Sequence, residues 1–119
     1  MAAYSEISIS DTAHLSSLQS EQVALMVKDT VQAFDPHAQV VLFGSRARGD
    51  ARQDSDYDFL ILLHQPVDFQ LKRDVLDKLY EVELQTGCVI GALIENIEGW
   101  QRMEHSPVFS EIEQEGIFI

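Results

Sequence analysis

Very little of this chain is basic: eight Lys and Arg stand against twenty Asp and Glu, a formal charge of -12 over 119 residues. Such a surface repels a phosphate backbone, so a long nucleic-acid duplex is not the expected ligand. A small nucleotide that arrives with its own metal ions is still admissible, because bound cations invert the local charge logic. Cysteine is equally scarce. The single Cys88 cannot form an internal disulfide, and its place in an apolar run reads as a small buried hydrophobe. A reducing, cytoplasmic setting is the default. No run of eighteen apolar residues occurs, and the opening Met1-Ala2-Ala3-Tyr4-Ser5-Glu6 has no basic segment leading into an apolar one. Neither a membrane span nor a signal peptide is expected. The Walker pattern GxxxxGK[ST] is missing, which removes the P-loop enzymes. His14, His37, His64 and His105 form no close ligand cluster, so zinc is not expected.

What is present is an ordinary globular balance, 45% apolar and 24% charged, in a length that suits one domain. Residues 1–16 carry little periodic signal and read as a loose arm, followed by one domain over 17–119. From Leu18 to Phe34 the residues Val23, Met26, Val27, Val31 and Phe34 recur at three and four, which predicts a helix with one buried face. Ser17 or Ser20 is placed to cap it, and Asp35-Pro36 closes it. "AQVVLF", Ala38 to Phe43, and "YDFLILL", Tyr57 to Leu63, predict two strands, the second covered on both faces. Asp68 is positioned to cap a helix from Phe69 to Gln85, and Gly87 leads to a third strand, Cys88 to Ile94. A short helix at 97–103, another opening at Ser106-Pro107 and ending at Gly116, and an edge strand at 117–119 complete the order. The class is α/β (α+β): a mixed sheet with helices packed against it in a single small domain.

The chemistry concentrates in "FGSRARGDARQDSDYDF", Phe43 to Phe59. Asp56 and Asp58 are two apart, so on a strand they leave on one face, while Tyr57 points the other way and packs against a helix. Adjacent carboxylates repel unless solvent or a cation intervenes. Mg²⁺ takes oxygen ligands and commonly uses one or two carboxylates plus substrate phosphates. The readings are a divalent-metal site or solvated turn aspartates. An EF-hand fails, because counting from Asp54 puts Phe59 where glycine is needed and Gln65 where the bidentate glutamate belongs. Gly44 ends a strand, and the turn opened by Ser45-Arg46-Ala47-Arg48 offers free amides and a hydroxyl to a phosphate. Alternatively it is a plain link, with Arg46 and Arg48 exposed. If the two strands are neighbours, both halves face one cavity: Gly-Ser on the outer phosphates of a nucleoside triphosphate, the aspartates on Mg²⁺.

The same stretch resembles the signature of the nucleotidyltransferase superfamily that includes DNA polymerase β, in its small stand-alone form, the minimal nucleotidyltransferase domain. The family pattern is Gly-Ser, ten residues, then Asp-x-Asp, and Gly44-Ser45 and Asp56-Tyr57-Asp58 match it without a gap. Arg48-Gly49 and Ser55 fall where small members carry Arg-Gly and Ser, and "HSPVFSEIEQEGIFI" is similar to their tails, so the likeness spans most of the chain. The resemblance implies an enzyme that moves a nucleoside monophosphate, AMP from ATP or its equivalent from another NTP, onto a hydroxyl. It implies that Gly44, Ser45, Arg48 and Arg46 contact the nucleotide and that Asp56 and Asp58 are catalytic and hold Mg²⁺. Many such proteins resemble antitoxins paired with a helical HEPN-type toxin, which makes a protein partner the expectation; self-association is left open, and the alternative function is a binding module that neutralises its toxin by complex formation.

One departure stands out. Active family members hold a third carboxylate on a neighbouring strand, but Cys88-Val89-Ile90-Gly91-Ala92-Leu93-Ile94 contains no acid. Gly91 falls nearest the required position. Glu95 is the next carboxylate on that strand face, four residues on and roughly 13 Å away. Glu83 is read as a solvent-facing residue of the preceding helix, and a partner's carboxylate is the remaining source. Trp100 is read as core, with a lid edge or an interface as alternatives; Arg52 is read as a loop charge.

Overall fold

The computed structural model describes residues 17–119; the arm expected over 1–16, with His14, lies outside them. Helix α1, Leu18–Gln32, is capped by Ser17, whose hydroxyl oxygen accepts from the Ser20 amide. Ser20 is buried instead of capping, 3.2 Å from the Tyr57 hydroxyl. Strand β1, Gln39–Phe43, leads through the single turn α2, Ser45–Arg48, to strand β2, Tyr57–Leu63. Helix α3, Phe69–Thr86, opens on Asp68, which accepts from the Leu71 amide, and closes on a left-handed Gly87. Strand β3, Ile90–Asn96, the short helix α4, Ile97–Gln101, helix α5, Pro107–Glu115, and strand β4, Ile117–Phe118, follow.

The third strand therefore starts two residues later than the apolar run predicts, and runs two further. Cys88 donates its amide to Thr86 Oγ1, which keeps it in the closing turn of α3. It is half-buried against the core rather than enclosed within a strand. At the far end Glu95 and Asn96 pair with Leu62 and Leu63. The Asn96 side chain then donates to the Gln65 carbonyl and accepts from the Glu98 amide, ending the strand and starting α4 in one residue.

The sheet order is β3-β2-β1-β4, with β2 and β3 parallel and the other two pairs antiparallel. α3 is the crossover that the parallel pair requires. Alternation along the central strands sorts the core into two layers. Val40, Leu42, Tyr57, Phe59, Ile61 and Leu63 meet Val23, Val27 and Val31 of α1 and Val75, Leu79 and Val82 of α3. On the other face Val41, Leu60 and Leu62 meet Trp100, Phe109 and Ile112. Trp100 is fully buried and stacked on Phe109 at 4.8 Å, so core packing is its role.

Asp35 ties the helix layer to the sheet. It is buried, and its two oxygens accept from the His37 amide at 2.9 Å and the His64 amide at 2.6 Å, joining the end of α1 to the end of β2. Burial alone would raise the Asp35 pKa. The His64 and His37 amides outweigh it, helped by the nearby imidazoles, and hold the carboxyl below its ordinary value. A depressed carboxylate contributes stability that is present above its unfolded pKa, about 4, and is lost as pH falls through its lower folded value. We expect Asp35→Ala to cost about 2–3 kcal/mol at pH 7, two backbone donors losing a charged, buried acceptor. Thermal or urea unfolding checks this, and the gap from wild type should close as pH falls below about 4.

Candidate functional site

Strand register builds the site. Phe43 pairs with Asp58 across β1 and β2, and Asp58 pairs with Gly91 across β2 and β3. The Gly44–Ser45 turn therefore emerges beside the Asp58 carboxylate, as the two halves of the motif require if they are to share a cavity. Gly44 adopts φ 75°, ψ -158°, a conformation essentially reserved for glycine. A Cβ on it would also lie 2.6 Å from Asp58 Oδ2, and one on Gly91 would lie 2.8 Å from Asp58 Oδ1. The carboxylate thus occupies a slot left by two missing side chains. At Gly91, where an acid is absent, a side chain would meet the Asp58 carboxylate and require it to turn.

At α2 the Ala47 and Arg48 amides both bond the Gly44 carbonyl, which leaves the Ser45 and Arg46 amides without intrahelical acceptors. The Ser45 hydroxyl has no hydrogen-bond partner among the described residues. The Arg46 guanidinium is directed elsewhere. It donates to the carbonyls of Gln53 and Ser55 and lies 4.3 Å from the centre of the Tyr57 ring, which faces α1, opposite the Asp58 side. The Ser55 hydroxyl oxygen accepts from the Arg52 amide, so the segment before Asp56 is folded onto itself and clamped by Arg46. Tyr57 packs against α1 as expected, and its hydroxyl donates to Gln19 Oε1. Arg48 is ion-paired with Asp50 at 3.2 Å, Glu111 at 3.4 Å and Glu115 at 3.0 Å. Of the six residues predicted for the site, Gly44 lies against Asp58, Ser45 adjoins Gly44 in the chain, and the Asp56 and Arg48 charges both act on Asp58; the Arg46 side chain is directed away.

Neither carboxylate of the Asp56–Asp58 pair has a hydrogen bond or ion pair among the described residues. Burial raises the Asp58 pKa, the Asp56 charge raises it further, and Arg48 only partly opposes them. Two hard oxygen ligands with no bonded protein cation suit Mg²⁺. No group of three or more His, Cys, Asp or Glu able to hold a metal exists among the described residues, so a cation here would have these two carboxylates as its acidic ligands. The expected alternatives for a third acid are not at hand. Glu95 sits opposite Leu62, at the other end of the strand. Glu83 is not the solvent-facing residue the helical pattern suggests: its Oε2 accepts the Ile90 amide at 2.7 Å, satisfying the first donor of β3. Two surface hollows of about 550 and 580 Å³ lie between α1 and α3, lined by residues such as Met26, Thr30 and Gln85. Both are on the opposite side of the sheet from Asp58.

The fold is that of a small nucleotidyltransferase-like α/β domain. Residues 25–117 match the family model described as the nucleotidyltransferase domain, and the chain belongs to that family. It is similar to MntA of Haemophilus influenzae, named a probable protein adenylyltransferase, with 40% identity over 63 residues, covering 53% of this chain and 54% of that protein. A Methanocaldococcus jannaschii protein, named a putative protein adenylyltransferase, shares 44% identity over 59 residues, covering 50% of this chain and 54% of its own. The chain thus spans about half the length of the curated relatives it matches. Among solved structures it is similar to a poly(U) polymerase with MgGTP bound, at 23% identity and a TM-score of 0.38, over 71% of this chain and 24% of that one. No helix among the described residues is long and apolar enough to cross a membrane.

A raised carboxyl pKa means that the ionised form is disfavoured in the fold, so the resulting loss of stability is full above the folded pKa and vanishes below the unfolded one. Asp58→Asn should therefore raise the melting temperature of the metal-free protein at pH 7, with the gain fading as pH falls toward about 4. Paired melting curves across pH check the direction.

Proposed function

We propose that this domain is a Mg²⁺-dependent nucleotidyltransferase that moves a nucleoside monophosphate, AMP from ATP in the favoured form, onto a hydroxyl of a protein or small-molecule acceptor. The observation that carries the reading is the pairing of the Gly44–Ser45 turn with two unneutralised carboxylates at the facing ends of β1 and β2. Ser45 Oγ and the Ser45 and Arg46 amides bind the outer phosphates, with Arg48 as the cationic side chain at the rim. Asp56 and Asp58 hold Mg²⁺, which when bound offsets the charge between carboxylates and triphosphate and polarises phosphoryl oxygens. The Arg46 guanidinium keeps Asp56 in place through the Ser55 carbonyl.

A protein acceptor is favoured because one relative is named a probable and the other a putative protein adenylyltransferase. The partner is a helical HEPN-type toxin to which this chain is the antitoxin. Support comes from α3, whose outer face exposes Phe69, Leu76, Tyr80 and Leu84 along one stripe. The same stripe, with the acid-free strand β3, favours a second reading: a weakly active or inactive module that neutralises its toxin by binding alone. In that case Asp56→Asn/Asp58→Asn would still bind the toxin and suppress toxicity; loss of protection with binding intact would make transfer the mechanism.

Two carboxylates facing a triphosphate without a cation repel it. Asp56→Asn should weaken Mg·ATP binding and abolish transfer of label from α-labelled ATP, while leaving metal-free ATP binding no weaker. Ser45→Ala should weaken both binding modes by about 1 kcal/mol, one hydrogen bond. Calorimetric titration at fixed ionic strength measures both, and equal wild-type affinity with and without Mg²⁺ would sink the proposed site.

A further inference from the structure

Transfer to a hydroxyl, the reaction proposed above and the one on which this inference rests, releases a proton that some group has to accept. Asp56 and Asp58 are engaged with the cation in that reaction and are poor candidates. β3 offers none at this level, since the residue paired with Asp58 is Gly91. Glu95 is displaced along the strand to the level of Leu62, and Glu83 is bonded to the Ile90 amide at the α3 end of β3.

The helix laid across the Asp58 face of the sheet is α5, anchored by Phe109 and Ile112 against Val41, Leu60 and Leu62. Its Glu111 and Glu115 are one turn apart and both reach Arg48, whose own element starts at the Gly44–Ser45 turn. The ion pairs therefore place a carboxylate from the far end of the chain at the rim of the site. The electrostatics agree. Glu111 is raised in pKa first by the adjoining Glu115 carboxylate, then by burial, and it also senses Asp58, while Arg48 opposes these.

We propose that α5 supplies the carboxylate that β3 lacks, with Glu111 as the proton acceptor of the transfer reaction. The acceptor oxygen forms a bond to the α-phosphorus, the bond from that phosphorus to the bridging oxygen breaks, and pyrophosphate leaves with the electron pair. The hydroxyl proton passes to the Glu111 carboxylate. The half-exposed Glu111 side chain leaves room for an acceptor to approach, whereas Glu115 is more enclosed.

The test uses the full chain with α-labelled ATP, Mg²⁺ and three hydroxyl probes: N-acetyltyrosinamide, glycerol and water itself, reading labelled adduct or free AMP. Glu111→Gln should lower turnover by about 10²–10⁴-fold with Mg·ATP affinity unchanged. Glu111→Asp, which keeps a carboxylate, should recover part of the rate. Glu113→Gln, an exposed position of the same helix, should match wild type and controls for the change in charge. Wild-type turnover in Glu111→Gln overturns this inference alone, and so does a loss explained by weaker Mg·ATP binding. No adduct and no AMP from wild type that binds Mg·ATP overturns the transfer reading, and this inference with it.

Discussion

A half-buried carboxylate set between two glycines is the constraint on which the rest of this molecule depends. Asp58 sits at the start of the central strand, flanked by Gly44 from β1 and Gly91 from β3, with its charge disfavoured by burial and by Asp56. Such a group stays where it is because its backbone has no freedom to withdraw. From Phe59 to Leu63 the strand behind it is completely buried, gripped by helices on both faces. The fold thus uses its apolar interior to hold a polar arrangement that is unfavourable by itself, and a bound cation would relieve the strain in charge without requiring the backbone to move. Stability given up at one point is a common signature of a working site.

The linker between the two halves of the motif has its own architecture. It must turn the chain from β1 back to β2, present amides on one side, and deliver Asp56 beside Asp58. One helical turn, a left-handed Gly49 and the Arg52–Ser55 turn accomplish the reversal. Arg46 crosses it to the Gln53 and Ser55 carbonyls and rests on Tyr57, so the same side chain joins the linker to the α1 layer. The two arginines divide the work. Arg46 is spent on shape, while Arg48 lies at the surface, paired with three carboxylates whose exposed contacts are individually weak.

Elements whose signal is local were legible in the sequence. The three-and-four spacing of α1, the wholly apolar β2, the Asp68 cap with its Gly87 stop, and Pro107 at the start of α5 each rest on residues within a few positions of one another. The motif was legible for the same reason: period two puts Asp56 and Asp58 on one side, and register needs only neighbouring strands. Strand ends were not. Thr86 and Asn96 shift β3 by two residues through hydrogen bonds that composition does not reveal. Glu83 looked solvent-facing because helical position says which way a side chain leaves, not which amide lies across from it.

The charged rim was the least legible part, and the reason is sequence distance. Arg48 meets Glu111 and Glu115 across more than sixty positions, a contact set by how α5 lies on the sheet. That placement in turn rests on Phe109 and Ile112, whose apolar character identifies a buried face but not its counterpart. Along the neighbouring strand, where sequence is informative, the residue beside Asp58 is Gly91. The packed structure supplies a second direction, perpendicular to the sheet. Because β1 pairs with both β2 and β4, the end of α5 is tied to the strand that carries the Gly44–Ser45 turn. Any change that repositions α5 should thus alter the acidic surroundings of the Gly44–Ser45 turn, so α5 belongs to the electrostatics of the candidate site as much as to the fold.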